Sequence, residues 1–407
     1  MEIGFLENYN AFTPFIYCVG SLTVSCKLQQ SNFKTFSMRW NILVLFFLLS
    51  PSCFSQSPYL FIGTYTSGQS KGIYVYRFDE STGTGSPVST ITAKNPSYLC
   101  LSPDGKHLYA TDENESGGSV GAYAFEPSTG QLAFLNSQSS QGSCPCYVAV
   151  DNSAKWVFVA NYCSGNLTAL PLNSDGSLAP AVQTIQHFGK GPDTARQTSA
   201  HVHSTIFSPN EKFLLTADLG MDRENVYAFQ ADHSIPLTEA LDSSVALKGG
   251  TGPRHIIFHP KKPWVYIIGE LTGTVDAFLF DSVSGKLTHY QRIRTTPDTF
   301  KGFAGSADIH ISADGRFLYA SNRGESNTLA VFAISKDGYL ENRQYISVNG
   351  KHPRNFVIDP SGRFLLVANR DSDNIVVFSI DGTTGKLKDT GKQISIPNPV
   401  CLKFMVP

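Results

Sequence analysis

This sequence of 407 residues predicts an all-β fold, a seven-bladed β-propeller built from four-stranded antiparallel blades. Three observations carry that expectation. A thirteen-residue frame typified by SADGRFLYASNRG (312–324) occurs six times without a gap. The frames start at 102, 151, 208, 259, 312 and 359, spacings of 49, 57, 51, 53 and 47 residues, which is the period of a repeating β architecture. Gly, Pro, Ser and Thr punctuate short aromatic and β-branched runs, and no stretch with helical periodicity stands out.

The chain falls into three parts. Met38-Arg39-Trp40-Asn41 precedes eight apolar residues, Ile42 to Leu49, and a small-residue exit, so 38–56 reads as a secretory signal. Residues 1–37 read as an upstream extension that is non-native or precedes the true start. The apolar core is too short to span a bilayer comfortably, so no membrane span is expected once the signal is removed. Cys53 sits in an imperfect lipoprotein signal and is a secondary candidate for a lipid anchor. Export to the periplasm or the extracellular space is therefore expected.

Residues 58–407 form the propeller. A short strand precedes each frame, as in PCYVAV (145–150) and PRHIIF (253–258), and a third strand follows, as in NVYAFQAD (225–232). Seven third strands accompany only six frames. The count closes if YLFIGTYTSG (59–68) is the second strand of one blade whose first strand is PVCLKF (399–404). Joining strands from the two ends of the propeller leaves no open sheet edge. A monomer is expected.

Strand order then locates a site. The first strand of a blade lies nearest the central channel, and its hairpin turn to the second strand lies on one face. The start of the first strand and the end of the second therefore meet on the other face, at the channel mouth. The first of these positions holds Ser97, Cys146, His203, Arg254, Ala307, Arg354 and Val400; the second holds Glu113, Tyr162, Leu219, Glu270, Arg323, Arg370 and Tyr65. His203, Arg254, Glu270, Arg323 and Arg354 thus converge on one opening, with His201, Asp218, His255, Asp308 and His310 close in sequence. Glu113 and Arg370 share the register and read as solvated rim residues.

Composition excludes other classes. With 32 basic and 33 acidic residues the formal charge is −1, which argues against a nucleic-acid partner. The eight cysteines show no zinc spacing. Cys163 can pair with Cys146 or Cys144 in an oxidising compartment, and Cys100 and Cys401 read as buried free thiols. No Gly-x-Ser-x-Gly elbow, nucleotide fingerprint or haem-attachment motif is present, and neither a cofactor nor a metal is expected.

The motifs FIGTYT (61–66), VANY (159–162), HVH (201–203), DLGMDR (218–223), GPRHIIFHP (252–260), GEL (269–271), ADIHISADGRFLYASNRG (307–324) and PRNFVIDPSGRFLLVAN (353–369) occur in order. Over about 59–404 the sequence resembles the seven-bladed propeller lactonases, which include bacterial 6-phosphogluconolactonases and fungal carboxymuconate lactonizing enzymes. The resemblance implies that His201 or His203, Arg254, Glu270 and Arg323 line the active cleft, although Ala200 replaces the usual proline before the first histidine.

Lactone hydrolysis needs an activated water, stabilisation of an oxyanion and a grip on an anionic substituent. Glu270 or a histidine can accept the proton. Arg254 and Arg323 can hold negative charge, with Arg354 a further anion-binding candidate. Each has a plainer reading: Glu270 as an arginine-paired carboxylate joining blades, Asp308 and His310 as a supporting buried pair, and Asp218 as a histidine-orienting or turn-capping group. A small lactone is the expected substrate. A muconate-type cycloisomerase and a non-enzymatic ligand-binding propeller are the alternatives.

Overall fold

The hairpin frame forms because its first residue ties its own turn. In the computed structural model, which describes residues 57–240 and 244–406, the Ser312 hydroxyl donates to Asp314 at 2.7 Å and accepts from the Phe317 N–H at 3.0 Å. Ser102 and Ser208 do the same for His107 and Phe213, and the Asp151 and Asp359 carboxylates replace the hydroxyl for Trp156 and Phe364. Such side-chain-to-backbone bonds pin the turn, and Gly315 supplies the left-handed residue it requires, with φ of 84°.

Seven antiparallel sheets result. The six complete frames each give a blade whose strands run inside to outside in chain order; Pro353–Ile358, Phe364–Asn369, Asn374–Ile380 and Leu387–Ser395 form one such blade. The remaining blade is closed by Pro399–Met405 pairing with Tyr59–Thr64, in register Leu60 to Phe404 and Ile62 to Leu402. This is the closure expected from the repeat count. A fifth, two-residue strand, Val245–Ala246, joins the blade containing Arg223–Phe229.

The core lies between neighbouring blades. Second strands such as Trp156–Asn161 and Phe317–Asn322 are buried at every residue because each sheet face packs on another sheet, whereas outermost strands such as Gln131–Ser139 stay largely open to solvent. Phe278, Phe332 and Phe378 recur at one third-strand position and are fully buried, each contributing about 1.5–3 kcal/mol by apolar burial.

Polar stitches fix blade to blade. Tyr59, Tyr109, Tyr266 and Tyr319 on second strands donate to the carbonyls of Pro127, Gly176, Gly338 and Gly385 in the next blade's outer turn, at 2.7–3.0 Å. Further out, Gln183, Gln291 and Gln344 each exchange two hydrogen bonds with the backbone of Leu237, Leu340 and Leu387.

Cys144 and Cys163 form a disulfide, with Cα atoms 5.3 Å apart, just outside the strands Pro145–Val150 and Trp156–Asn161. Of the two partners open to Cys163, it takes Cys144; Cys146 is a buried free thiol, as is Cys401, while Cys100 is free and only partly buried. Among the described residues no helix is long and apolar enough to cross a membrane. The signal segment 38–56, its Cys53 and the upstream 1–37 lie outside the described residues.

Candidate active site

β-Bulges aim the site's side chains. In six of the seven sheets the register slips at the start of the first strand, leaving Cys146, His203, Arg254, Ala307 with Asp308, Arg354 and Val400 out of the ladder. A bulge turns its extra residue away from the regular alternation. Cys146, His203 and Arg354 thereby reach one cavity of about 150 Å³, joined by Glu113, Tyr162, Glu270 and Arg323 from second-strand ends and by Arg196 from the loop before Val202–Phe207.

Glu270 is the centre of charge. Its Oε1 lies 2.6 Å from Arg196 Nη2, and its Oε2 lies 3.1 Å from Arg254 Nε and 2.7 Å from Arg323 Nη2. Burial alone would raise this carboxyl, but Arg323, Arg254 and Arg196 hold it far below the ordinary range. Both of its oxygens are already engaged by guanidiniums, which leaves neither free to take a proton from a water. The arrangement fits the plainer role, an anion that sets three guanidiniums.

Each guanidinium is placed by further bonds. Arg254 is fully buried and donates to the Ala307 carbonyl at 2.5 Å and towards His255 Nε2 at 3.2 Å. Burial and the neighbouring Arg323 and Arg354 lower it to about 9, so it remains charged at neutral pH. Arg323 Nε donates to the Gly305 carbonyl at 2.9 Å. Gly324 follows because a Cβ there would stand 1.9 Å from the Phe303 carbonyl oxygen. On the blade next to that of Arg323, Arg354 lies 3.6 Å from Glu113 Oε2 and 5.3 Å from the Tyr65 ring centre, and Tyr65 donates to the same carboxylate at 2.9 Å. Glu113, read from sequence as solvated, therefore faces the cavity; Arg370 instead pairs with its neighbour Asp371.

His203 is the titratable base in the wall. Its Nδ1 lies 3.8 Å from Cys146 Sγ, and its ring packs edge-on to Tyr162 and His255. Burial, followed by Arg254, His255, Arg354 and Arg323, holds it well below the usual imidazole range, so it is neutral at physiological pH. Burial likewise pushes the Cys146 thiol well up, keeping it protonated.

The other sequence-selected residues stand behind the cavity. His201 stacks on Tyr162 with ring centres 4.5 Å apart, and its Nδ1 bonds the Tyr162 carbonyl. Asp218 caps the backbone of His201 and Met221 and orients His187, not a site histidine, at 2.7 Å. Asp308 accepts from His255 Nδ1 at 2.7 Å, His310 Nε2 at 3.0 Å and Asn355 at 2.5 Å, linking three blades beneath the mouth. With Arg254 donating to its Nε2, His255 is the neutral Nδ1–H tautomer, and burial with Arg254 lowers it to about 4. Arg254, His201, Asp218, Asp308 and His310, all selected from the sequence, are thus not among the residues that line the cavity; they hold the groups that do. Arg196 was absent from the sequence expectation because its loop lies outside the repeat frames. Among the described residues no group of three His, Cys, Asp or Glu side chains is placed to hold a metal ion.

The comparisons agree with this architecture. The family model for the lactonase, 7-bladed beta-propeller, matches residues 59–404. A 6-phosphogluconolactonase of Bacillus subtilis is 36% identical over 347 residues, covering 85% of this chain and 97% of that protein. One of Formosa agariphila is 35% identical over 344 residues, covering 83% and 96%. The solved structure of the Pseudomonas aeruginosa periplasmic gluconolactonase superimposes with a TM-score of 0.82 at 37% identity, covering 86% of this chain and 99% of that one. The chain belongs to the seven-bladed β-propeller lactonase family.

Proposed function

We propose that this lactone hydrolase opens a sugar δ-lactone at the channel mouth, with His203 as the base. The observation that carries the reading is a neutral histidine in a wall with two guanidiniums, Arg323 held by Glu270 and Arg354 beside Glu113. His203 takes a proton from water as the water oxygen bonds to the lactone carbonyl carbon. Arg354 and Arg323, charged groups near His203, stabilise the oxyanion that forms. Collapse of that intermediate breaks the bond between the carbonyl carbon and the ring oxygen, and the ring oxygen takes the proton back from His203. The product is a hydroxy acid, whose carboxylate stays in the field of the arginines until it leaves.

An exported location suits this propeller. The basic-apolar-small leader supports it, and so does the Cys144–Cys163 disulfide, since such bonds persist in oxidising compartments. A non-phosphorylated sugar lactone suits that location better than a cytosolic sugar phosphate.

The test is hydrolysis of δ-gluconolactone and its 6-phosphate, measured above the spontaneous rate, by the mature protein and by His203→Gln. The variant should lose about 10²–10⁴-fold in kcat, the usual contribution of a positioned base, while keeping its circular dichroism. No acceleration by the parent protein with either lactone would remove the reading. Full activity in the variant would move the base elsewhere.

A further inference from the structure

Each blade has a corner where the residue leading into the first strand meets the end of the second. In all seven the backbone closes it alike: an N–H at the second-strand end donates to the corner carbonyl, as Tyr162 to Cys144 at 3.0 Å and Glu270 to Gly252 at 2.8 Å. The corner residue is left-handed in six of them, Asn95, Cys144, Gly252, Gly305, His352 and Asn398, with φ between 39° and 61°. Asparagine, glycine and histidine adopt that conformation most readily. Cysteine is not among them: its Cβ crowds the following carbonyl oxygen, which lowers the left-handed population about tenfold. Among the described residues only this corner carries a covalent tie, the Cys144–Cys163 disulfide. The bond therefore holds a backbone shape that the residue type does not favour.

The surround of His203 hangs on this corner. Tyr162, one residue before Cys163, lines the cavity and meets the His203 ring edge-on, with centres 5.4 Å apart. Cys146, two residues after Cys144, also lines it and places Sγ 3.3 Å from the His203 carbonyl oxygen. The Tyr162 carbonyl accepts from His201 Nδ1 at 2.9 Å, so the corner touches both histidines of the HVH motif.

We propose that Cys144 and Cys163 are positioning residues, and that their disulfide clamps Tyr162 and Cys146 against His203. This rests on the lactonase reading above, with His203 as the base. Cys144 is buried but Cys163 is exposed, so a dithiol can reach the bond. Each sulfur then gains one electron and one proton, and the dithiol closes to its own disulfide. Released from the tie, Cys144 relaxes out of the left-handed region and draws the backbones of Cys146 and Tyr162 from the wall. Full activity is thereby tied to an oxidising compartment.

The test follows δ-gluconolactone hydrolysis by the oxidised parent, the parent reduced with dithiothreitol, and two double variants. Reduction should lower kcat about tenfold or more, the cost of a small misplacement, with KM nearly unchanged and circular dichroism retained. Reoxidation should restore the rate. Cys144→Ala with Cys163→Ser should show the same loss and ignore the reductant. Cys144→Gly with Cys163→Ser should recover most of the rate without any disulfide, because glycine takes the left-handed shape freely. A reduced parent within about twofold of the oxidised one, or a Gly variant no faster than the Ala variant, overturns the proposal. Should the Ala variant fail to fold, the reduced parent carries the comparison. Alkylation of Cys146 by iodoacetamide, followed by peptide mass spectrometry, reads the clamp without any lactone. It should be slow in the oxidised parent and the Gly variant, and about tenfold faster in the reduced parent and the Ala variant. A parent inactive on the lactone with this contrast intact removes the lactonase reading and keeps the clamp. Equal alkylation throughout overturns the clamp.

Discussion

At the scale of single residues, Glu270 decides how the site is read. As a base, it could be changed to Gln with loss of rate and little loss of stability. As the anion shared by three guanidiniums, its removal leaves Arg254 and Arg323 buried with uncompensated charge. Glu270→Gln should then cost about 3–5 kcal/mol of stability, the range for breaking a buried ion pair, and a fall in melting temperature read by calorimetry checks this. His203 gives a separate signature. A base held below the normal imidazole range stays in its proton-accepting form as pH falls, so kcat/KM should show no inflection near pH 6.5 and should persist into mildly acidic solution. An acid limb centred near pH 6.5 would contradict that environment. The sequence already carried the register of His203, Arg254, Glu270, Arg323 and Arg354, because departures from a repeat are visible when the frames are aligned. Arg196 was not legible, since its loop belongs to no frame and only the folded chain brings it to Glu270.

At the scale of elements, the bulge and the stitch do most of the positioning. The first-strand starts were legible as a list of residues, but the register slip that aims them was not, because a bulge is a property of a strand and its partner together. The tyrosine stitches were equally hidden: the phenolic oxygen meets a carbonyl of the next blade some seventy residues later, as in Tyr109 and Gly176 with a separation of 67. Tyr319→Phe should therefore destabilise the protein by about 1–3 kcal/mol through the Gly385 carbonyl left unsatisfied, measured by denaturant unfolding. Kinetic constants should stay close to those of the parent, since Tyr319 is remote from the cavity wall. Asp308 shows the same limit from the other side. Its two-residue spacing from His310 was visible, but its bonds to His255 and Asn355 were not, and they make it a link between blades.

At the scale of the whole molecule, buried ionisable groups make stability depend on pH in one direction. His203 and His255 have folded-state values below those of the unfolded chain, so acid favours the unfolded state, which binds the proton more readily. His255 contributes stability that is full above about pH 6.5 and is lost progressively down to about 4, at up to roughly 1.4 kcal/mol per pH unit. Glu270, also lowered, adds a loss that begins only below the ordinary carboxylate range, near pH 4.5. The melting temperature should thus fall from pH 7 to pH 4, and a flat profile would contradict the burial of these groups. The architecture at this scale was the most legible part of the sequence: six frames, seven third strands and one blade needing a strand from far along the chain.

That blade also orders events in time. Pro399–Met405 is the last propeller strand to be synthesised, yet it pairs with the first, Tyr59–Thr64. Until it arrives, two sheet faces and one sheet edge stay open, and the ring has no cooperative end point. Contacts so distant in sequence form slowly, because a long loop must close before they are made. Here the topology itself withholds the finished fold until nearly the whole propeller has left the ribosome.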